Sequence, residues 1–252
     1  MKLHAVEVLE RERFGVHALL RYRWTGEPPG PGQFVMVRAL DTAASSPGLD
    51  PFLPRPLFTH DYEGAVASLL FEVRGRGTAL LAEEGSWLQV SAPLGRGYAI
   101  NTGGPVALVG GGVWVSPLKL LSRRLKAAGI VPDVYLEVPA SAPEAYAAWI
   151  SKSYPDATLV PIDGALEAPR TVLDPLGDLG RYTSIYASGP SEMLAAVKET
   201  STVPAQLALR ERMACANGSC YGCAVPVWQG EASTYVRACV EGPVFSAEAL
   251  AW

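Results

Sequence analysis

The residues with the most chemistry in this chain are four cysteines, and all of them fall in its last 38 positions. Cys215 is followed after four residues by Cys220, after two more by Cys223, and after a further fifteen by Cys239. Three thiolates within nine residues suit a loop wrapped around a small inorganic core, with the fourth supplied by a separate element. The short gaps are those of the plant-type 2Fe-2S pattern. The intervening residues include Ala216, Asn217, Gly218, Ser219, Tyr221 and Gly222. Mostly small, they let the backbone pass close to a cluster and turn amides toward its sulfurs. Three other readings stay open: a structural zinc site, which more often uses paired cysteines two to four apart; two disulfides, which a reducing compartment disfavours; and four unrelated buried cysteines.

Two glycine-rich turns are the next candidates. Gly75-Arg76-Gly77-Thr78 precedes a stretch expected to be helical over 78–83, so free N–H groups could meet a phosphate there. The same tetrapeptide is also a common plain turn. Gly110-Gly111-Gly112-Val113 lies between an expected strand and an expected helix, the context a dinucleotide-binding turn requires.

These groups must be positioned by three segments of different rhythm. Residues 1–100 read as short strands over 4–9, 16–22, 33–39, 65–73 and 87–91, separated by Gly/Pro turns, with a loop at 40–54; this suits an antiparallel β-barrel or sandwich. Residues 101–205 alternate strand and helix. Strands are expected at 106–109, 134–138, 158–162 and 184–187, and helices at 116–128, 143–153 and 190–199. Leu118, Leu121 and Leu125 give the first helix its spacing of three and four. That alternation argues for a Rossmann-like parallel sheet, with the glycines 110–112 ending its first strand. Residues 206–252 are too few for a sizeable core, so docking on neighbours or a metal staple is expected.

Composition agrees. The chain has 252 residues, 49% hydrophobic and 18% charged, enough for a packed core and against wholesale disorder. With 21 basic and 25 acidic residues it lacks the basic excess of a nucleic-acid binder. No apolar run is long enough to span a membrane. The charged stretch from Glu10 to Arg13 leaves no room for a signal-peptide core. The cytoplasm is therefore the expected location.

The C-terminal segment resembles the electron-transfer subunit of the two-subunit, NAD-linked class of dihydroorotate dehydrogenase, within the ferredoxin-reductase-like superfamily. The likeness lies in Glu211-Arg212-Met213-Ala214-Cys215 through Cys223, Arg237-Ala238-Cys239, and Glu241-Gly242-Pro243-Val244-Phe245. It extends over nearly the whole chain and implies an FAD-binding barrel, then a NAD-binding α/β domain, then a 2Fe-2S domain held by Cys215, Cys220, Cys223 and Cys239.

Pro31 to Val37 resembles the family's approach to the flavin, and Arg55-Pro56-Leu57 its Arg-Pro-(Leu/Ile)-Ser motif, whose arginine meets the FAD pyrophosphate. A surface salt bridge is the plainer use of Arg55. Phe58 stands where serine is usual, so a hydroxyl near the flavin is missing unless Thr59 or His60 substitutes for it. Gly75, Gly77 and Thr78 resemble the second flavin-phosphate contact. Pro93 to Tyr98 resembles the stretch closing the barrel.

On the NAD side, Gly110, Gly111 and Gly112 match the dinucleotide turn, and Ser188-Gly189-Pro190 resembles the family's Cys-Gly-Pro motif beside the nicotinamide. Two departures, Trp114 for glycine and Ser188 for cysteine, imply that NAD binding is altered, weak or lost. Glu137 after the second strand could accept from ribose hydroxyls and would repel a 2′-phosphate. The resemblance further implies a partner, the FMN-containing catalytic subunit, in a heterotetramer of two of each, with no nucleic acid and no membrane. Another flavin/iron–sulfur reductase, such as a ferredoxin-reductase-like or sulfide dehydrogenase subunit, is the alternative. A non-catalytic accessory protein using its cluster as a staple is the third reading.

Overall fold

The structure is a computed structural model that describes residues 2–43, 50–83, 85–139, 142–162 and 172–252. Part of the expected loop at 40–54, and Ala140 and Ser141 after Glu137, therefore lie outside the described residues. The first segment folds as β1 (Leu3–Phe14), β2 (His17–Arg23), β3 (Phe34–Leu40), β4 (Arg55–Phe58), β5 (Asp61–Glu63), β6 (Val66–Glu72), α1 (Arg76–Glu83) and β7 (Trp87–Ser91). They form one seven-stranded antiparallel sheet in the order β4-β3-β7-β1-β2-β6-β5. The terminal strands β4 and β5 do not pair, so the barrel is open rather than closed. β1 serves both halves. Leu3–Glu7 pairs with β7, and the strand goes on to pair with β2 after a register shift between Val8 and Glu10, the bend that a bulge produces. β4 is an edge strand, which is why it tolerates Pro56.

The second sheet contains β8 (Val106–Gly111), β9 (Asp133–Pro139), β10 (Thr158–Ile162), β11 (Ser184–Ser188) and β12 (Ala205–Ala208). They are parallel in the order β10-β9-β8-β11-β12. Between them run α2 (Leu118–Ala127), α3 (Glu144–Ser153) and α4 (Ser191–Thr200). Every residue of β8 is buried, as in a central strand covered on both faces. Leu118, Leu121 and Leu125 of α2 are all buried, as their spacing requires. The glycines do not end β8 where expected. The strand continues through Gly110 and Gly111, and turns only at Gly112, whose φ is +53°.

The last segment is a hairpin of β13 (Ala224–Gln229) and β14 (Ala232–Arg237), followed by β15 (Val244–Ser246). It has no core of its own. β15 adds antiparallel to β12 and so becomes the outer strand of the second sheet. Pro243 bridges to Arg96, at the end of the first segment. One hydrophobic cluster joins Phe34 and Met36 of the first sheet, Val109, Ile185 and Leu207 of the second, and Val225, Ala238 and Leu250 of the last. A fully buried leucine such as Leu250 contributes roughly 1.5–3 kcal/mol. The short segment is thus held by its neighbours before any metal is considered. Among the described residues no helix is long and apolar enough to cross a membrane.

Candidate functional site

Two stations emerge, a cavity between the sheets and the cysteine loop. The cavity, about 280 Å³, is walled by Phe34, Leu57 and Phe58 from the first sheet and by Val113, Trp114 and Ser116 from the second. Arg210 to Met213 close it from the segment that leads to Cys215. A second cavity of about 400 Å³ runs along β3 and the start of α1, lined by Val37, Arg38, Arg76, Gly77 and Leu80 among others. Arg55 borders both.

Local chemistry places Arg55 there. Its strand pairs with β3 in a register that sets Arg55 opposite Val37. Its guanidinium lies across Gly77, where a Cβ would come within 2.3 Å of Nε. Gly77 is therefore glycine because Arg55 occupies the space a side chain would need. Among the described residues Arg55 makes no ion pair, and its Nη1 donates to Leu53 O at 3.0 Å. Thr78 Oγ1 accepts from the amides of Arg74 and Gly75 at 3.0 and 3.2 Å, which fixes the turn into α1. Gly75 has nothing within 4 Å of its Cβ position. The head of a helix leaves amides without intrahelical partners. A cation and free amides between two cavities fit a pyrophosphate that joins a ring system to a nucleoside, the shape of FAD.

His60 and Thr59 do not replace the missing hydroxyl. The His60 ring is buried away from the cavity and bonds through Nδ1 to Ser116 O at 2.9 Å. Burial lowers its pKa to about 4, so it is neutral. Its carbonyl accepts from the Leu120 amide in the first turn of α2, tying the two sheets together. The buried Thr59 hydroxyl has no partner among the described residues and does not line the cavity. Besides Thr78, the wall carries the hydroxyl of Ser116, within 3.5 Å of Phe58 O. Sequence reading gave no signal for Ser116, nor for Arg210; both reach the cavity only through tertiary folding.

The nucleotide turn looks different. Gly110 at the end of β8 pairs with Ser188 at the end of β11, so Gly110 to Gly112 and Gly189-Pro190 meet at one edge of the sheet. β9 and β11 flank β8 on opposite sides, which makes this the switch point where such sheets bind ligands. Yet the glycines are crowded by the protein itself. A Cβ on Gly110 would meet Leu118 Cδ1 at 2.7 Å, on Gly111 Glu137 Oε2 at 2.7 Å, and on Gly189 Met193 Cε at 2.0 Å. The Glu137 carboxylate accepts from the Val172 amide at 3.2 Å, and its pKa is raised by burial. Ser188 is fully buried beneath Tyr98 rather than exposed in the crevice.

At the cysteines, the loop backbone is left-handed at Ala216 (φ 51°), Gly218 (φ 84°) and Tyr221 (φ 53°). Each non-glycine residue so placed costs about 1–2 kcal/mol. The return is a concave row of inward amides. Asn217 and Cys220 amides point to the Cys215 sulfur, the Gly218 amide to Cys239, and the Gly222 amide to Cys220 Sγ at 3.4 Å. Arg237 clamps the loop. It covers the Tyr221 ring at 5.2 Å, donates to Gly218 O at 3.2 Å, and pairs with Glu241. The sulfurs form two adjacent pairs, Cys215 with Cys220 and Cys223 with Cys239. Donor amides, chiefly Asn217, pull the Cys215 thiol down to about 5, whereas burial and then Cys223 push Cys239 up to about 12. Among the described residues no three metal-ligating side chains gather around one ion. Two thiolates for each of two irons, with amides on the sulfurs, fit this arrangement better than a single tetrahedral zinc.

An open flavin-type barrel, a doubly wound sheet and a cysteine loop define a ferredoxin-reductase-like flavin and iron–sulfur oxidoreductase. Residues 210–251 match the iron–sulfur cluster binding domain of dihydroorotate dehydrogenase B. The chain is 32% identical over 235 residues to the dihydroorotate dehydrogenase B (NAD(+)) electron transfer subunit of Caldanaerobacter subterraneus subsp. tengcongensis, covering 91% of this chain and 90% of that one. The counterpart in Bacillus velezensis is 33% identical over 230 residues, covering 88% and 87%. A solved NADH-dependent reduced ferredoxin-NADP oxidoreductase, studied for flavin-based electron bifurcation, superposes with a TM-score of 0.76 at 25% identity, covering 98% of this chain and 90% of that one. The chain belongs to the family of dihydroorotate dehydrogenase B electron transfer subunits.

Proposed function

We propose that this chain carries electrons between an FMN-containing, dihydroorotate-oxidising partner and NAD, using a 2Fe-2S cluster and FAD. The observation that carries the reading is a single wall. Met213, two residues before Cys215, lines the same cavity as Phe58 and Arg55. One residue spans at most ~3.6 Å of chain, so cluster and flavin would lie close together. When bound, the flavin exchanges electrons in pairs as hydride or singly, and the cluster takes one at a time.

The protein's part is positional. Arg55 neutralises the pyrophosphate, Gly75 and Gly77 let it approach, and Thr78 fixes the turn. Leu57 and Phe58 exclude water from one face of the ring, and the Ser116 hydroxyl faces the cavity. Gly110, Gly111, Gly112, Gly189 and Pro190 frame the crevice from which NAD would approach. Cys215, Cys220, Cys223 and Cys239 would hold the cluster. In this reading residues 1–100 bind FAD, 101–205 bind NAD and 206–252 hold the cluster. The complex is a heterotetramer of two of each subunit. It works in pyrimidine biosynthesis in the cytoplasm, where cysteines stay reduced.

A second reading is supported by the likeness to the ferredoxin-NADP oxidoreductase: a reductase subunit serving a different partner. Co-expression with a dihydroorotate-oxidising FMN subunit separates the two. Stable co-purification and orotate-linked NADH formation support the first reading. A flavin- and cluster-loaded chain that ignores that subunit refutes it. Cys220→Ser should remove the cluster absorption and abolish coupled NAD reduction while FAD stays bound; retention of full coupled activity would overturn the ligand set.

A further inference from the structure

We propose that Trp114 and Arg210 form a cover over the flavin cavity that governs access of the nicotinamide, and that this pair sets the affinity of the chain for NADH. The inference rests on the reading of the cavity as the flavin site.

The turn that carries Trp114, Gly112–Val115, leaves the end of β8 at the switch point and leads directly into the cavity wall. A dinucleotide held at Gly110 to Gly112 must extend its nicotinamide past this turn to bring the reacting carbon to about 3–3.5 Å from the flavin, the distance hydride transfer needs. The indole lines the cavity at this turn. It does not stand alone: the Arg210 guanidinium lies over its ring at 4.6 Å. Arg210 lies in the cluster segment, five residues before Cys215, and shares the cavity with Glu72, whose charge acts on it, and lies near Arg74. The cover therefore joins an indole at the end of β8 to a cation from the cluster segment, while the Glu72 carboxylate nearby pairs with Arg74 at 2.7 Å. A cation–π pair is worth a few-fold to about thirtyfold in an equilibrium. That range is large enough to weaken nicotinamide binding yet small enough for the cover to open.

Three consequences are distinct from a merely structural tryptophan. Removing the indole should tighten NADH binding. Removing Arg210 should do so by less, because the indole remains. Neither change should alter FAD content. In the reaction, two electrons and one proton leave the dihydronicotinamide as hydride and reduce the bound flavin, leaving oxidised nicotinamide. Opening the cover should lower KM for NADH more than it raises kcat.

The test uses the full chain loaded with FAD and cluster, in wild type, Trp114→Gly, Trp114→Phe and Arg210→Ala. NADH and the non-reducing analogue tetrahydro-NADH are titrated calorimetrically, and flavin bleaching by NADH is followed in stopped flow. Trp114→Gly should bind at least about fivefold more tightly than wild type. Arg210→Ala should be intermediate, and Trp114→Phe close to wild type. Equal affinities and equal KM in wild type and Trp114→Gly would overturn the proposal, as would tighter binding by wild type. If Trp114→Gly misfolds, Arg210→Ala still decides, since an unchanged affinity there refutes the pairing. Loss of flavin from the wild-type protein itself would instead refute the cavity assignment, and is read from its visible spectrum before any titration.

Discussion

Two glycine turns, each opening toward a helix at one edge of a sheet, come from the two different sheets and reach one cavity through Thr78 and Val113. At Gly75-Arg76-Gly77 the space left by the missing side chain is taken by Arg55, or is empty, and cavities lie on both sides. At Gly110-Gly111-Gly112 the space is taken by Leu118 at the first and Glu137 at the second, while the third meets only Trp114 Cδ1 at 3.8 Å. A glycine in such a turn marks a close approach. It does not say whether a ligand or the protein makes it. The first turn is built as a vacancy with a counter-charge, and the second as a packed joint that a nucleotide must share with the protein's own side chains.

Substitution separates them. At the first turn Gly77→Val pushes its side chain into Arg55, whose end is free to move, so the fold should survive while FAD binding is lost, weaker by about a hundredfold or more given the 1.5–3 kcal/mol of a charge-assisted bond plus steric exclusion. Fluorescence of released flavin measures it, and a flavin content equal to wild type would break the comparison. Arg55→Ala should weaken FAD by about ten- to a hundredfold and leave the cluster spectrum unchanged. At the second turn the same chemistry should strike the fold and not the flavin. Gly110→Ala forces a methyl against Leu118, Leu136 and Val115. It should cost about 1–3 kcal/mol in urea unfolding, with FAD content preserved.

The seam between the two turns has its own signature. His60, buried between β5 and α2, is held at about 4 by burial, against about 6.5 in the unfolded chain. The unfolded chain therefore takes up the proton first as pH falls. The stability tied to a neutral His60 is complete above about pH 6.5 and is lost progressively toward pH 4. At about pH 5 the loss should be about 2 kcal/mol. Urea unfolding of wild type and His60→Gln at about pH 7.5 and about pH 5 isolates it, since only wild type should show that extra loss.

Much of this was legible in the chain. The 3.6-residue pattern of Leu118, Leu121 and Leu125 and the apolar runs of β8 and β11 specify an alternating sheet, because burial on both faces demands them. β10 falls at the residues its pattern marks. The short strands β4, β5, β12 and β15 were not legible. Three or four residues carry too little alternation, and Pro56 argues against a strand until β4 is seen at an edge. Arg55, Gly77 and the cysteines were readable as residue types suited to anions and iron. Where the Thr59 and His60 side chains point was not readable, because both lie in the short link between β4 and β5, outside any strand alternation.

Residue chemistry and spacing alone determined that the last segment gathers thiolates, that the middle segment alternates, and that the first is turn-rich β. Such patterns are local, and backbone geometry imposes them within a few residues. Only the tertiary structure decided what fills each glycine's space, and that Ser116, Arg210 and Trp114 line one cavity. Those facts depend on side chains from strands far apart in sequence meeting at one seam.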